Sequence, residues 1–130
     1  MDLYDFSSKD IGALGEKAAA EYLRRQGFAV LAMNVRVKFG ELDIVARKGN
    51  CLHVVEVKSL RCNEFPQSNE TTVYDPGENL HSQKLQKVVR TAMWYVSHIE
   101  WEGEWQIDVM LVWLRQRDAM ARVRYIPQIL

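Results

Sequence analysis

Apolar residues recur along the chain at two different periods, and each change of period marks a change of element. Ile11, Leu14, Ala18 and Tyr22 stand three and four apart, a spacing that lines them up on one helix face. Ser7 or Ser8 can cap the free N–H groups at its start, and Gly27 can take the left-handed conformation that ends it, so the helix is expected to run to Gln26. A strand follows from Phe28 to about Val35, with two more at Glu41–Arg47 and Cys51–Lys58, bounded by Gly40 and by Gly49-Asn50. Leu85, Val88, Val89, Ala92 and Val96 mark one face of a second helix over Ser82–His98. Trp105 to Leu114 hardly alternates, as expected of a strand buried on both sides. A last strand covers Met120–Ile126 and stops at Pro127. Helix, three strands, helix and two strands make an α/β or α+β domain around one sheet. Between Leu60 and Leu80 lies the one long irregular segment, of a length that is either functional or a tolerated insertion.

Composition narrows the class. With 130 residues, 48% hydrophobic and 26% charged, the chain suits a single domain over 1–130 and does not suit a disordered protein. No apolar run exceeds the six residues of Val109–Leu114, too short to cross a membrane. The acidic start MDLYDFSSKD lacks a signal pattern, and two cysteines suit a reducing compartment, so a cytoplasmic location is expected. Seventeen Lys+Arg balance seventeen Asp+Glu, which argues against a binder held to nucleic acid by bulk positive charge. Local imbalance remains: His81–His98 carries Lys84, Lys87 and Arg90 and no acid.

The chemistry concentrates in GELDIVARKGNCLHVVEVKS, Gly40 to Ser59. Gly-Asn is a two-residue hairpin loop, Gly supplying the positive φ. With Gly49 and Asn50 as that loop, Asp43 faces Glu56 and Glu41 faces Lys58, and cross-strand neighbours share a face. The opposite face would carry Leu42, Ile44, Val55 and Val57. A three-residue turn would flip one strand and bury carboxylates among aliphatics, so composition favours the shorter loop. Like charges this close need a cation between them. A divalent ion such as Mg²⁺ takes oxygen ligands, commonly one or two carboxylates plus water and phosphate. Lys58 could then hold a water or stabilise charge on a phosphate, the arrangement needed for metal-assisted phosphodiester hydrolysis. An ordinary surface hairpin with cross-strand ion pairs would carry the same residue types.

The spacing of Asp43, Glu56-Val57-Lys58 and a first helix bearing Glu16 resembles the PD-(D/E)xK nuclease superfamily. More closely, GALGEKAAAEYLRRQGF, Asn34, GELDIVA, VVEVKS, a Lys-led helix and WQIDVMLV resemble the YraN-like family of bacterial predicted endonucleases, over nearly the whole chain. The resemblance implies an α/β, restriction-endonuclease-like core related to Holliday-junction resolvases, in the order α-β-β-β-α-β-β with a mixed central sheet flanked by helices. It implies catalytic roles for Asp43, Glu56 and Lys58, with Glu16 as an accessory acid. Leu42 stands where the superfamily's name has proline. Arg61, one residue further from Lys58 than the family's arginine, carries over as a nucleic-acid contact.

The working expectation is a Mg²⁺- or Mn²⁺-dependent endonuclease acting on DNA, with branched or structured DNA among its candidate substrates. Asp43, Glu56 and Glu41 would hold metal, Lys58 would serve the water or the transition-state charge, and Lys84, Lys87 and Arg61 would meet phosphates. The rival is a non-catalytic nucleic-acid-binding module that keeps the fold. Junction resolvases act as dimers, but no homodimer surface is legible in this sequence. Gly12, Gly15 and the neighbouring alanines read as close helix–sheet packing. Asp108, in an apolar strand, would need a partner if buried. His53 faces away from the carboxylates under the two-residue register and is rejected as a general base.

Overall fold

The structure, a computed structural model, describes residues 1–67 and 83–130. Helix α1 covers Ser8–Arg25, and its cap is Ser7, whose hydroxyl accepts from the Asp10 N–H at 3.1 Å. Strands β1 (Ala29–Val37), β2 (Gly40–Lys48) and β3 (Cys51–Cys62) follow, then α2 (Gln83–His98), β4 (Glu104–Arg115) and β5 (Ala121–Ile126). This is the expected α-β-β-β-α-β-β order. Most of the Leu60–Leu80 segment lies outside the described residues.

The five strands lie side by side in chain order, antiparallel except for β3 and β4, which run parallel from Cys51↔Glu104 to Cys62↔Arg115. That parallel pairing carries β3 four residues beyond its expected end at Lys58 and settles Leu60 and Cys62 against Val109, Leu111 and Trp113. The sheet is mixed and covered on both faces. Ile11, Ala19 and Leu23 of α1 pack on Ile44, Val55 and Met110, while Val88 and Ala92 of α2 pack on Val45, Val54 and Ile107. Consecutive pairs such as Ile44/Val45 and Val54/Val55 divide between the two helices, as strand alternation requires. No described helix is long and apolar enough to cross a membrane.

Asp108 is fully buried and richly bonded. It accepts from the Tyr125 hydroxyl, from Gln106 Nε2 at 2.8 Å and from the Gln128 N–H at 2.8 Å, and it meets His53 Nδ1 at 2.7 Å. Phe28 closes the cluster edge-on against His53, 4.9 Å between ring centres. Burial and the Asp108 bond hold the Tyr125 hydroxyl far above its ordinary pKa. His53 therefore serves this network on the α1 side, away from the carboxylate hairpin.

Candidate active site

β2 and β3 leave the Gly49-Asn50 turn in the register Lys48↔Cys51 to Ile44↔Val55, which is the two-residue loop. Beyond Ile44 and Val55 the backbone ladder stops and side chains take its place. The Val57 N–H donates to Asp43 Oδ2 at 2.8 Å, and the Asp43 N–H donates to Glu56 Oε2 at 3.3 Å. Each acid thus binds the backbone of the opposite strand across the gap. Among the described residues the second oxygen of each carboxylate has no hydrogen-bond partner, and no buried side-chain polar atom lacks one.

Asn34 explains the local geometry. It lies on β1 between the pairs Met33↔Ile44 and Val35↔Leu42, opposite Asp43, with φ of 53°. A left-handed residue inside a strand interrupts the alternation of side chains, and Asn tolerates that conformation better than most. On either side of the interruption, Ala32 and Val35 both pack toward α2, as do Val45 and Leu42. Leu42 therefore does not join Ile44 and Val55 on the α1 face, contrary to simple alternation.

The pair is electrostatically loaded. Burial, then the Asp43 charge, pushes the Glu56 carboxyl up to about 8. Burial also raises Asp43, against the opposing pull of the Val57 N–H and of Lys84. Lys84, near the start of α2, is the cation that draws both values down. Glu16 is raised by burial and by Asp43, against the opposing pull of the Asn34 side chain. Gly15 brings Glu16 this close. A Cβ at that position would lie 1.8 Å from Ser59 Oγ, so α1 can seat on β3 only without a side chain there. Nothing lies within 4 Å of a Cβ built at Gly12, so that glycine plays no such part.

Asp43 thus lies within electrostatic reach of Glu16, Glu41, Glu56 and Lys84. Glu41 is exposed and pairs with Arg36 at 3.5 Å. Lys58 is exposed beside Leu111 of β4, on the Glu56 side of β3 and two residues along. It is not among the groups that shift either buried carboxyl. Arg61 donates to the carbonyls of Leu3, at 2.8 Å, and Phe6. Its guanidinium ties down the N-terminal segment, a use different from the phosphate contact expected of it. Lys87 lines a cleft beside the β1–β2 turn. Two contributions escaped the sequence reading: Asn34 as the residue that breaks β1, and Lys84 as the cation facing the acid pair. The signals for the first were an Asn inside an otherwise strand-forming run and its place among the residues that carry the family resemblance.

Among the described residues no three His, Cys, Asp or Glu side chains converge into a metal cage. The donor set is the Asp43–Glu56 pair, each acid with one oxygen that no described residue hydrogen-bonds. That suits a hard ion such as Mg²⁺, which keeps several waters and uses one or two carboxylates plus phosphate. A cation there would also offset the burial that raises both carboxyl pKa values and the Asp43 charge that adds to the rise at Glu56.

A mixed sheet between two helices, parted at an acid pair, has the form of a PD-(D/E)xK-related fold. A family model described as "Uncharacterised protein family UPF0102" matches residues 15–112. The chain is 37% identical over 101 residues to a UPF0102 protein of Campylobacter jejuni subsp. doylei, covering 78% of this chain and 81% of that one. It is 34% identical over 122 residues to a UPF0102 protein of Dictyoglomus turgidum, covering 93% and 97%. The chain belongs to the UPF0102 family.

Proposed function

We propose that the chain is a Mg²⁺- or Mn²⁺-dependent phosphodiester hydrolase that cuts DNA. The observation that carries this reading is the parting of β2 and β3 at Asp43 and Glu56, which holds two partly buried carboxyls together, one oxygen of each without a hydrogen bond to any described residue. Such a pair is costly unless a cation joins it. Asp43 and Glu56 would hold the ion, which when bound supplies Lewis acidity at a phosphate oxygen. Glu41, exposed and already paired with Arg36, would assist at the rim. Glu16, its pKa raised by burial, is suited to hold or pass a proton of a water. Lys58 projects from β3 on the Glu56 side, about 6.6 Å along the strand, where it can stabilise charge on the scissile phosphate. Lys84 keeps the acid pair from repelling too strongly before substrate arrives.

The test combines calorimetry with Mg²⁺ or Mn²⁺ and cleavage of linear, single-stranded, flap and four-way DNA. Asp43→Asn should fold, lose most metal affinity and abolish cutting, whereas Lys58→Ala should keep metal and lose turnover. Wild-type protein that binds neither ion with DNA present and cuts nothing would overturn the enzyme reading in favour of a binding module.

A further inference from the structure

Beside the acid pair, the β1–β2 turn and the outer face of α2 enclose an open cleft of about 510 Å³ lined by Arg36, Lys38, Phe39, Glu41, Lys87 and Arg90. Arg36 is partly neutralised by Glu41, but Lys38, Lys87 and Arg90 form no ion pair among the described residues. Gly40 lets the turn approach this closely, since a Cβ there would meet Thr91 Oγ1 at 2.1 Å. Aromatic rings continue the cleft along α2. Phe39, 38% exposed, meets Trp94 edge-on at 6.4 Å, and Trp94 stacks on His98 at 4.7 Å with the planes 13° apart. Three cations without an ion pair among the described residues and a run of partly exposed rings are the two components of a site that tracks a nucleic-acid backbone and stacks its bases.

Resting on the hydrolase reading, we infer that this cleft holds an unpaired stretch of the DNA substrate, Phe39 and Trp94 stacking on bases while Lys38, Lys87 and Arg90 meet phosphates. In a continuous duplex both faces of every base are covered by neighbours, so side-chain rings can stack only on bases that have left the stack. The cations alone would hold a duplex and a single strand alike; the rings make the difference. Phe39 lies at most about 13 Å from Asp43 along β2, the length of about four stacked nucleotides. The preferred substrate therefore carries unpaired nucleotides within a few positions of the scissile phosphate, as a flap or junction does.

Binding can be read by fluorescence anisotropy of the full chain in EDTA, with a single strand, a flap and a fully paired duplex of one sequence. Phe39→Ala and Trp94→Ala should each weaken single-strand and flap binding about tenfold and change duplex binding less than twofold. Phe39→Trp, which keeps a ring, should bind as wild type does, and thermal melting of each variant checks folding. Lys87→Ala should weaken all three and lower the salt slope by roughly 0.7 to 0.9. Equal losses on duplex and single strand, or no loss from either aromatic substitution, would overturn the inference. Because binding is measured without metal, its outcome is separate from catalysis. A protein that cuts nothing yet shows the aromatic-dependent preference would sink the hydrolase reading and leave the cleft standing; a protein that cuts while Phe39 and Trp94 prove neutral would do the reverse.

Discussion

Glu56 ties the acid pair to stability in a way that can be measured without substrate. Its ordinary pKa of 4.5 is pushed up to about 8 in the fold. Below pH 4.5 the folded and unfolded states both hold the proton, and Glu56 contributes no pH dependence. Between 4.5 and 8 the native state keeps a proton that the unfolded chain has released, so stability falls as pH rises. The slope is about 1.4 kcal/mol per pH unit, and the full span amounts to about 5 kcal/mol. Glu56→Gln keeps the shape and cannot ionise, so its stability should lack this fall. Urea titrations of both proteins in EDTA, from pH 5 to 9, give the difference directly. At pH 5 the two should nearly coincide; at pH 8 to 9 the variant should be the more stable by several kcal/mol. Adding Mn²⁺ at pH 8 should recover the wild type and not the variant, because a ligand of the native state stabilises by mass action. Parallel wild-type and variant curves across the range would refute the claim that burial and Asp43 load this carboxyl.

Lys84→Met removes the charge that pulls both carboxyl pKa values down. The pH-dependent loss should therefore extend to higher pH in the same urea series. Gly15→Ala places a methyl 1.8 Å from Ser59 Oγ and should cost about 1–2 kcal/mol after the gain in helix propensity. Adding Ser59→Ala should recover part of that loss in denaturant midpoints. Asp108→Ala strands the Tyr125 hydroxyl, His53, Gln106 and the Gln128 N–H without their acceptor. It should cost about 3–5 kcal/mol, read by thermal or urea unfolding.

Much of this was legible in the chain because it is local. A two-residue loop at Gly49-Asn50 fixes the hairpin register, and the register brings Asp43 to Glu56. Helix spacing marked the buried faces of α1 and α2. Where tertiary context decides, the letters were silent. β3 runs on through Ser59-Leu60-Arg61-Cys62 because β4 offers a parallel partner, not because those residues read as a strand. Leu42 changes face because of a left-handed residue on another strand. Lys84 reads as a phosphate contact until α2 docks beside the acids. Arg61 reads as a free cation until the carbonyls of Leu3 and Phe6 take its donors.

The parallel ladder between β3 and β4 also shapes how the molecule comes together in time. Closing the β2–β3 hairpin needs only the Gly49-Asn50 loop, whereas pairing Cys62 with Arg115 brings together residues separated by all of 63–114. Loop-closure entropy makes that second event the costly one, and non-local pairing of this kind slows folding. The expected order is hairpin first and β4 docking last. The acid pair would then meet before α2 delivers Lys84, so two like charges face each other during assembly. Refolding of the wild type should accordingly be faster at pH 5 than at pH 8, with Glu56→Gln indifferent to the change. Stopped-flow refolding monitored by tryptophan fluorescence, to which Trp113 of β4 contributes as it is buried, would show the opposite or no dependence if the ladder formed before the hairpin.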